Sequence, residues 1–161
     1  MSEVKESLVT VEDTYISDAS TSEEVLKDIG RKLLKKGLVK DKFIENILER
    51  EKNYPTGLDL TVIDPSYGNI AVPHTEGAYV NVTKVIPVGL TNSVVFNNMI
   101  RPKEDLEVSN LFIILNNSPE EQSEILAKIM DFINTLNVDE AKALFQASTP
   151  SSLYDVIKNK L

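Results

Sequence analysis

The strongest structural signal in this sequence is the run Leu111-Phe112-Ile113-Ile114-Leu115, its longest dense apolar stretch. The run shows no alternation of apolar and polar residues, which is typical of a central strand that is covered on both faces. Ser118-Pro119-Glu120-Glu121 follows, with Ser as N-cap, Pro at the first helical position and Glu at the capping-box position. This order predicts an α/β domain in which a buried central strand leads into a long helix that ends near Leu136.

Two amphipathic helices are predicted in the first third of the chain. Thr21 and Glu24 have the spacing of a capping box, and Gly37 supplies the left-handed residue that ends the first helix. Asp41 is the predicted N-cap of the second helix, which runs towards Glu51. Because only a short connection separates them, we expect the two helices to form a hairpin.

Several further segments have the composition of strands, loops or short helices. Tyr54-Pro55-Thr56-Gly57 stops the second helix, since Pro disfavours a helical residue before it and Gly opens a turn. The remaining predictions are a weak edge strand over 7–16, β segments over 80–90 and 94–96, a loop over 97–105, and short helices over 138–146 and from 149. Strands interspersed with helices favour a mixed sheet.

Length and composition exclude several classes of protein. The 161 residues fit a single domain, which we expect to span residues 1–161. The formal charge of −8 argues against nucleic acid and anionic membranes as partners, and no Cys is present to form disulfides or a thiolate metal site. Residues 1–18 lack the pattern of a signal peptide, and no run approaches the roughly 20 apolar residues that span a bilayer. These features predict a cytoplasmic protein without membrane insertion.

His74 is the first candidate for chemistry, because it is the only His of the chain and ends the run Asn69-Ile70-Ala71-Val72-Pro73. A lone His is more often structural or simply exposed. At the carboxyl end of a strand, however, an imidazole can present one ring nitrogen outward as a nucleophile. Its ordinary pKa of about 6.5 leaves it largely neutral at pH 7, as nucleophilic attack requires. Formation of a phosphohistidine needs no further group.

Arg50 is the second candidate, since a guanidinium binds phosphoryl oxygens in a bidentate way and would stabilise transferred charge. The alternative is a solvated charge at a helix end, paired with Glu49 or Glu51. Thr56 and Thr75 could donate hydroxyl hydrogen bonds, although each residue type is more often part of a turn. Gln122 lies in the first turn of the long helix, where an anion is favoured, and is otherwise an ordinary surface residue.

Other catalytic schemes find less support in the sequence. No Gly-rich phosphate loop is present, and no Gly-x-Ser-x-Gly elbow supports a Ser-His-Asp triad. Asp59 and Asp64 could form a carboxylate pair. Both lie in a turn-rich segment, where Asp is favoured for local hydrogen bonds.

Three motifs follow one another in the middle of the chain: Leu48-Glu49-Arg50-Glu51, Tyr54-Pro55-Thr56-Gly57-Leu58 and Asn69-Ile70-Ala71-Val72-Pro73-His74. Together they resemble the mannitol/fructose-type IIA components of the bacterial phosphoenolpyruvate-dependent sugar phosphotransferase system. Their order and spacing agree with that family, and the resemblance extends from about residue 8 to the C-terminus. It implies a mixed sheet with helices on both faces.

The resemblance also implies a function. His74 matches the family nucleophile, which accepts a phosphoryl group from phospho-HPr and passes it to a cysteine of the IIB component, and Arg50 matches the supporting Arg. Metal ions and organic cofactors are not required, and the membrane component IIC is involved only indirectly. Many members carry a second His where this chain has Gln122. The galactitol-type branch is similar to this sequence in having Gln there and in its Pro-Thr-Gly segment.

Two other functions remain open from the sequence. A regulatory IIA-like module would be phosphorylated on the same His74 but would act by binding a kinase, a transporter or a transcription factor. A purely structural or interaction domain would use His74 for no chemistry at all. Only transfer to a IIB component distinguishes a carrier from a regulator, because the fold and nucleophile are the same in both.

Overall fold

The structure is a computed structural model that describes residues 7–118 and 122–161. Its helices are α1 (Ser22–Lys35), α2 (Phe43–Asn53), α3 (Gln122–Asn134), α4 (Val138–Gln146) and α5 (Pro150–Ile157). Its strands are β1 (Tyr15–Ser17), β2 (Gly57–Leu58), β3 (Asn69–Ala71), β4 (Lys84–Asn97) and β5 (Asp105–Leu115). Across these described ranges, no helix is both long enough and apolar enough to cross a membrane.

The strands form one mixed sheet in the order β1-β4-β5-β3-β2. β4 and β5 are antiparallel, whereas β1 runs parallel to β4 and β3 runs parallel to β5. Leu111 of β5 lies opposite Val88 on one side and opposite Ala71 on the other. The apolar run therefore belongs to the central strand, as its pattern predicts.

Helices cover both faces of this sheet, which confirms the predicted architecture. Leu111, Ile113 and Leu115 point into the core formed with α1 and α2. Phe112 and Ile114 point into the core formed with α3, α4 and α5. All five side chains are buried, and each contributes about 1.5–3 kcal/mol of hydrophobic free energy. This two-sided burial explains why the run lacks alternation.

The first two helices form the predicted hairpin, with one difference in detail. Thr21 caps α1 by accepting a hydrogen bond from the Glu24 amide, and Gly37 adopts the left-handed φ of 75° after the helix. Asp41 is not the N-cap of α2. The Phe43 amide bonds the carbonyl of Lys40, so a turn precedes the helix and Lys42 takes the cap position without a side-chain hydrogen bond.

The strand predictions need three corrections. Of residues 7–16, only the end enters the edge strand β1, because Val11–Asp13 forms a 3-10 turn closed by a bond from the Asp13 amide to the Thr10 carbonyl. The segments predicted around 80–90 and 94–96 are one strand, β4, whose register shifts between Gly89 and Val94. β5 begins six residues before its apolar run, at Asp105, where burial alternates.

The C-terminal third follows the sequence closely. α4 has the predicted bounds, α5 begins where predicted, and both start with capping boxes, at Asn137 and Thr149. The long helix α3 is described from Gln122 to Asn134. Its predicted start at Ser118-Pro119-Glu120-Glu121 falls largely on 119–121, which lie outside the described residues.

Candidate functional site

His74 lies three residues beyond β3, at the edge of the sheet where the parallel strands β3 and β5 both end. The Ile114 amide donates to the Pro73 carbonyl at 3.0 Å, so the chain stays against β5 up to the His. The Nδ1 atom of His74 is 2.9 Å from the carbonyl oxygen of Val72. Because a carbonyl can only accept, Nδ1 carries the proton and Nε2 keeps a free lone pair.

The environment of His74 favours a neutral ring. Burial lowers its pKa below the ordinary value of 6.5, and the nearby Arg50 guanidinium lowers it further. The bond to the Val72 carbonyl acts in the opposite direction but does not outweigh burial. A partly buried, neutral imidazole with a free Nε2 has the properties of a nucleophile.

Arg50 lies in the last turn of α2 and is near enough to His74 for its guanidinium to lower the pKa of the ring. Its guanidinium lies 5.3 Å from the centre of the Tyr54 ring and 3.7 Å from the carboxylate of Glu76, two residues after the His. The Arg50 side chain is 31% exposed and that of Glu76 is 66% exposed, so the ion pair is at the surface. The partner of Arg50 is therefore neither Glu49 nor Glu51, the two neighbours considered from the sequence, and the guanidinium remains accessible to an anion.

Thr56 lies beside the same segment but directs its hydroxyl elsewhere. Its Oγ1 donates to Glu51 at 2.6 Å, and its amide donates to the other carboxylate oxygen of Glu51 at 2.8 Å. The Thr56 carbonyl accepts a hydrogen bond from the Val72 amide at 3.2 Å. Burial raises the pKa of Glu51 to about 7, although both bonds from Thr56 lower it. Sequence reasoning missed Glu51 as a site residue.

Thr75 and Gln122 occupy different parts of the neighbourhood. Thr75 is buried, and its hydroxyl donates to the Glu76 carbonyl at 2.9 Å. The carboxamide of Asn116, just after β5, donates to Gln122 Oε1 at 3.2 Å. Among the described residues, no hydrogen bond joins Gln122 to His74. Asn116 and Glu76 were also missed, although their positions next to a strand end and a candidate His were visible signals.

The alternative carboxylate pair is not assembled. Asp59 accepts hydrogen bonds from the amide and hydroxyl of Thr61, and Asp64 accepts the equivalent bonds from Ser66. Both carboxylates thus stabilise their own turns, as their sequence context favours. Within the part of the chain that the structure describes, no group of three or more His, Asp and Glu side chains could hold a metal ion.

Comparison with known proteins identifies the family. The family model of the phosphoenolpyruvate-dependent sugar phosphotransferase system, EIIA 2, matches residues 7–160. The chain belongs to this family. The match covers nearly the whole sequence, including the segments that carry Arg50, Thr56 and His74, and it agrees with the resemblance of the three sequence motifs.

Individual EIIA proteins are similar to this chain in sequence or in fold. The galactitol-specific EIIA component of the phosphotransferase system from Escherichia coli (strain K12) is 30% identical over 103 residues. That match covers 64% of this chain and 65% of the relative, so it spans just under two thirds of the relative's length.

Two solved structures share the fold. One is the complex of the mannitol enzyme IIA with phosphorylated enzyme IIB from Escherichia coli, with a TM-score of 0.71, 19% identity and coverage of 94% of this chain and 97% of that one. The other is the nitrogen regulatory protein IIA-Ntr from Neisseria meningitidis, with a TM-score of 0.64, 18% identity and coverage of 91% and 94%. The EIIA 2 chain therefore has the fold of the mannitol-type IIA proteins.

Proposed function

We propose that this EIIA 2 protein is a cytoplasmic phosphoryl carrier that accepts a phosphoryl group from phospho-HPr on His74 and passes it to a cysteine of a IIB component. One observation carries the proposal: the only imidazole of the chain lies with Nδ1 against the Val72 carbonyl, which leaves Nε2 free, and Arg50 is near enough to lower the pKa of the ring. Membership of a phosphotransferase family supports the reaction class.

The transfer follows from this arrangement in two displacements. In the first, the lone pair of His74 Nε2 attacks phosphorus, so an N–P bond forms on His74 while the N–P bond of phospho-HPr breaks. In the second, a cysteine sulfur attacks, so an S–P bond forms and the Nε2–P bond breaks. Nδ1 of His74 keeps its proton throughout and donates it in a hydrogen bond to the Val72 carbonyl. Because such transfers depend mainly on positioning and charge stabilisation, the chain's own side chains suffice.

Arg50 would stabilise the charge that moves during each displacement. In the unloaded protein the guanidinium pairs with Glu76, which keeps it close to the segment of His74. A phosphoryl group on Nε2 carries more negative charge than one carboxylate, so it would replace Glu76 as the ion-pair partner of Arg50. Glu76 then acts as a counter-ion that the phosphoryl group displaces. Thr75 and Gln122 are supporting candidates at the same edge of the sheet.

The partners are proposed from the family and from two similar proteins. A galactitol-specific EIIA component is 30% identical to this chain, which supports a galactitol-type sugar and its IIB component. The fold match to a IIA protein solved with phosphorylated IIB supports a IIB acceptor. The membrane component IIC would be reached only through IIB. Nucleic acid and direct membrane insertion have no part in this function.

The test is the intact mass of the protein after incubation with phosphoenolpyruvate, enzyme I and HPr. We expect one acid-labile phosphoryl group on the wild type and none on His74→Ala. Addition of a galactitol-type IIB component should then remove the group from His74. If active HPr leaves the wild-type mass unchanged, the carrier function is wrong.

A regulatory role on the same His74 is the alternative that this experiment separates. The fold is shared with a nitrogen regulatory IIA protein, so a phosphorylated His74 is expected in both cases. A protein that accepts the group but passes it to no IIB component would be a regulator rather than a carrier.

A further inference from the structure

Glu51 is a partly buried carboxylate that immediately follows Arg50 on α2 but takes no part in the transfer described above. It receives two hydrogen bonds from Thr56, one from the amide at 2.8 Å and one from the hydroxyl at 2.6 Å. These bonds close the turn between the end of α2 and the start of β2. The residue that carries the guanidinium is thus adjacent to the residue that holds this turn.

The turn is in direct contact with the segment of His74. The Thr56 carbonyl accepts a hydrogen bond from the Val72 amide at 3.2 Å, and the Val72 carbonyl accepts one from His74 Nδ1 at 2.9 Å. On the opposite side, the Ile114 amide holds the Pro73 carbonyl at 3.0 Å. β5 therefore fixes one side of the His74 segment, and the turn held by Glu51 fixes the other.

We propose that Glu51 is a positioning residue that sets Arg50 relative to His74 and holds the carbonyl that keeps the His74 proton on Nδ1. The proposal rests on the function proposed above, because it assigns a role in that same transfer. Displacements of about 1 Å in a site that works by positioning reduce rates by up to about 100-fold. A hydrogen-bonded link between α2 and the His74 segment restricts displacements of Arg50 relative to His74.

The hydrogen bonds of Glu51 define the variants that test this role. In the structure the Thr56 amide and hydroxyl both donate to Glu51. In Glu51→Gln the carboxamide oxygen can still accept from the Thr56 amide, and its NH₂ group can donate to the Thr56 hydroxyl, so two bonds to Thr56 are kept. Glu51→Ala removes both bonds. Glu49→Ala is the matched control, because Glu49 is the other neighbour of Arg50, has the same side chain and lies exposed on the same helix.

The first readout is the tautomer of His74, measured by long-range ¹⁵N–¹H correlation at about pH 8. The chain contains a single His, so the imidazole signals need no assignment by mutation. We expect the Nδ1–H form in the wild type, Glu49→Ala and Glu51→Gln, and a mixture of the two tautomers in Glu51→Ala. A residue that merely stabilises the fold would not shift this equilibrium.

The second readout is kcat/KM for phosphoryl transfer from phospho-HPr. We expect a loss of about 10- to 100-fold in Glu51→Ala, recovery of most of it in Glu51→Gln, and no change in Glu49→Ala. Should Glu51→Ala fail to fold, Thr56→Val and Thr56→Ser form the equivalent pair, since Val lacks the hydroxyl and Ser keeps it.

The two proposals fail in different ways. A folded Glu51→Ala protein with the wild-type tautomer and the wild-type rate would overturn the positioning role. A wild-type protein that accepts nothing from phospho-HPr would overturn the carrier function instead. The tautomer comparison needs no partner protein, so it still decides whether Glu51 positions His74.

Discussion

Replacing Glu51 by Gln is expected to change how the stability of the protein depends on pH. Burial raises the pKa of Glu51 from its ordinary value of 4.5 to about 7. Between these two values the folded state binds more protons than the unfolded state, so stability falls as the pH rises. At 1.36 kcal/mol per pKa unit, this carboxyl makes the folded protein roughly 3 kcal/mol less stable above pH 7 than below pH 4.5.

Urea unfolding followed by far-UV circular dichroism measures the effect, since the chain has no Trp for fluorescence. From about pH 5.5 to about pH 8, the free energy of unfolding of Glu51→Gln relative to the wild type should rise by about 2 kcal/mol. His74 and Asp13, whose pKa values are also shifted, contribute equally to both proteins and cancel. Glu49→Gln controls for the loss of one charge. Parallel pH profiles for wild type and Glu51→Gln would refute the reasoning.

Three further variants test the proposed site. His74→Ala should stay folded, and its free energy of unfolding should be lower by about 1 kcal/mol because the hydrogen bond to Val72 is lost. Urea unfolding measures this difference, and a variant that is already unfolded in the absence of urea would contradict the prediction. Arg50→Ala should retain slow acceptance, with a barrier higher by about 3 kcal/mol or a rate lower by about 100-fold, and unchanged stopped-flow kinetics would remove Arg50 from the site. Glu76→Gln should free Arg50 for the phosphoryl group, so the equilibrium with HPr should shift towards loaded His74 by up to about 5-fold. That limit reflects a surface ion pair worth at most about 1 kcal/mol, and an equilibrium shift in the opposite direction would exclude the counter-ion role.

The central strand and the starts of two helices show why part of the fold could be predicted from the sequence. A central strand buried on both faces must be apolar at every position, so Leu111 to Leu115 identified β5 without any structure. Thr21 and the pair Thr149-Pro150 likewise identified the starts of α1 and α5. The edge strand β1 was poorly delimited, because three residues paired on one side leave a weak pattern.

Part of the candidate site could likewise be predicted from the sequence, and part of it could not. His74 stands out in the sequence as the only His of the chain, at the end of a strand, and Arg50 stands out because the motifs of both residues resemble a known family. Glu51 was considered only as an ion-pair partner for Arg50. Its bonds to Thr56 and its raised pKa depend on burial, which no local pattern of residues reveals.

The sequence alone determined the fold class, the approximate positions of the helices, the central strand and the candidate nucleophile, because these follow from local patterns of polarity, caps and residue type. Tertiary structure decided which carboxylate pairs with Arg50, which carbonyl holds His74 Nδ1, and how a partly buried Glu51 joins α2 to the His74 segment. These contacts link residues on different elements. Their geometry is set by how the helices pack on the sheet, and the free energy of that packing is shared among side chains far apart in the chain.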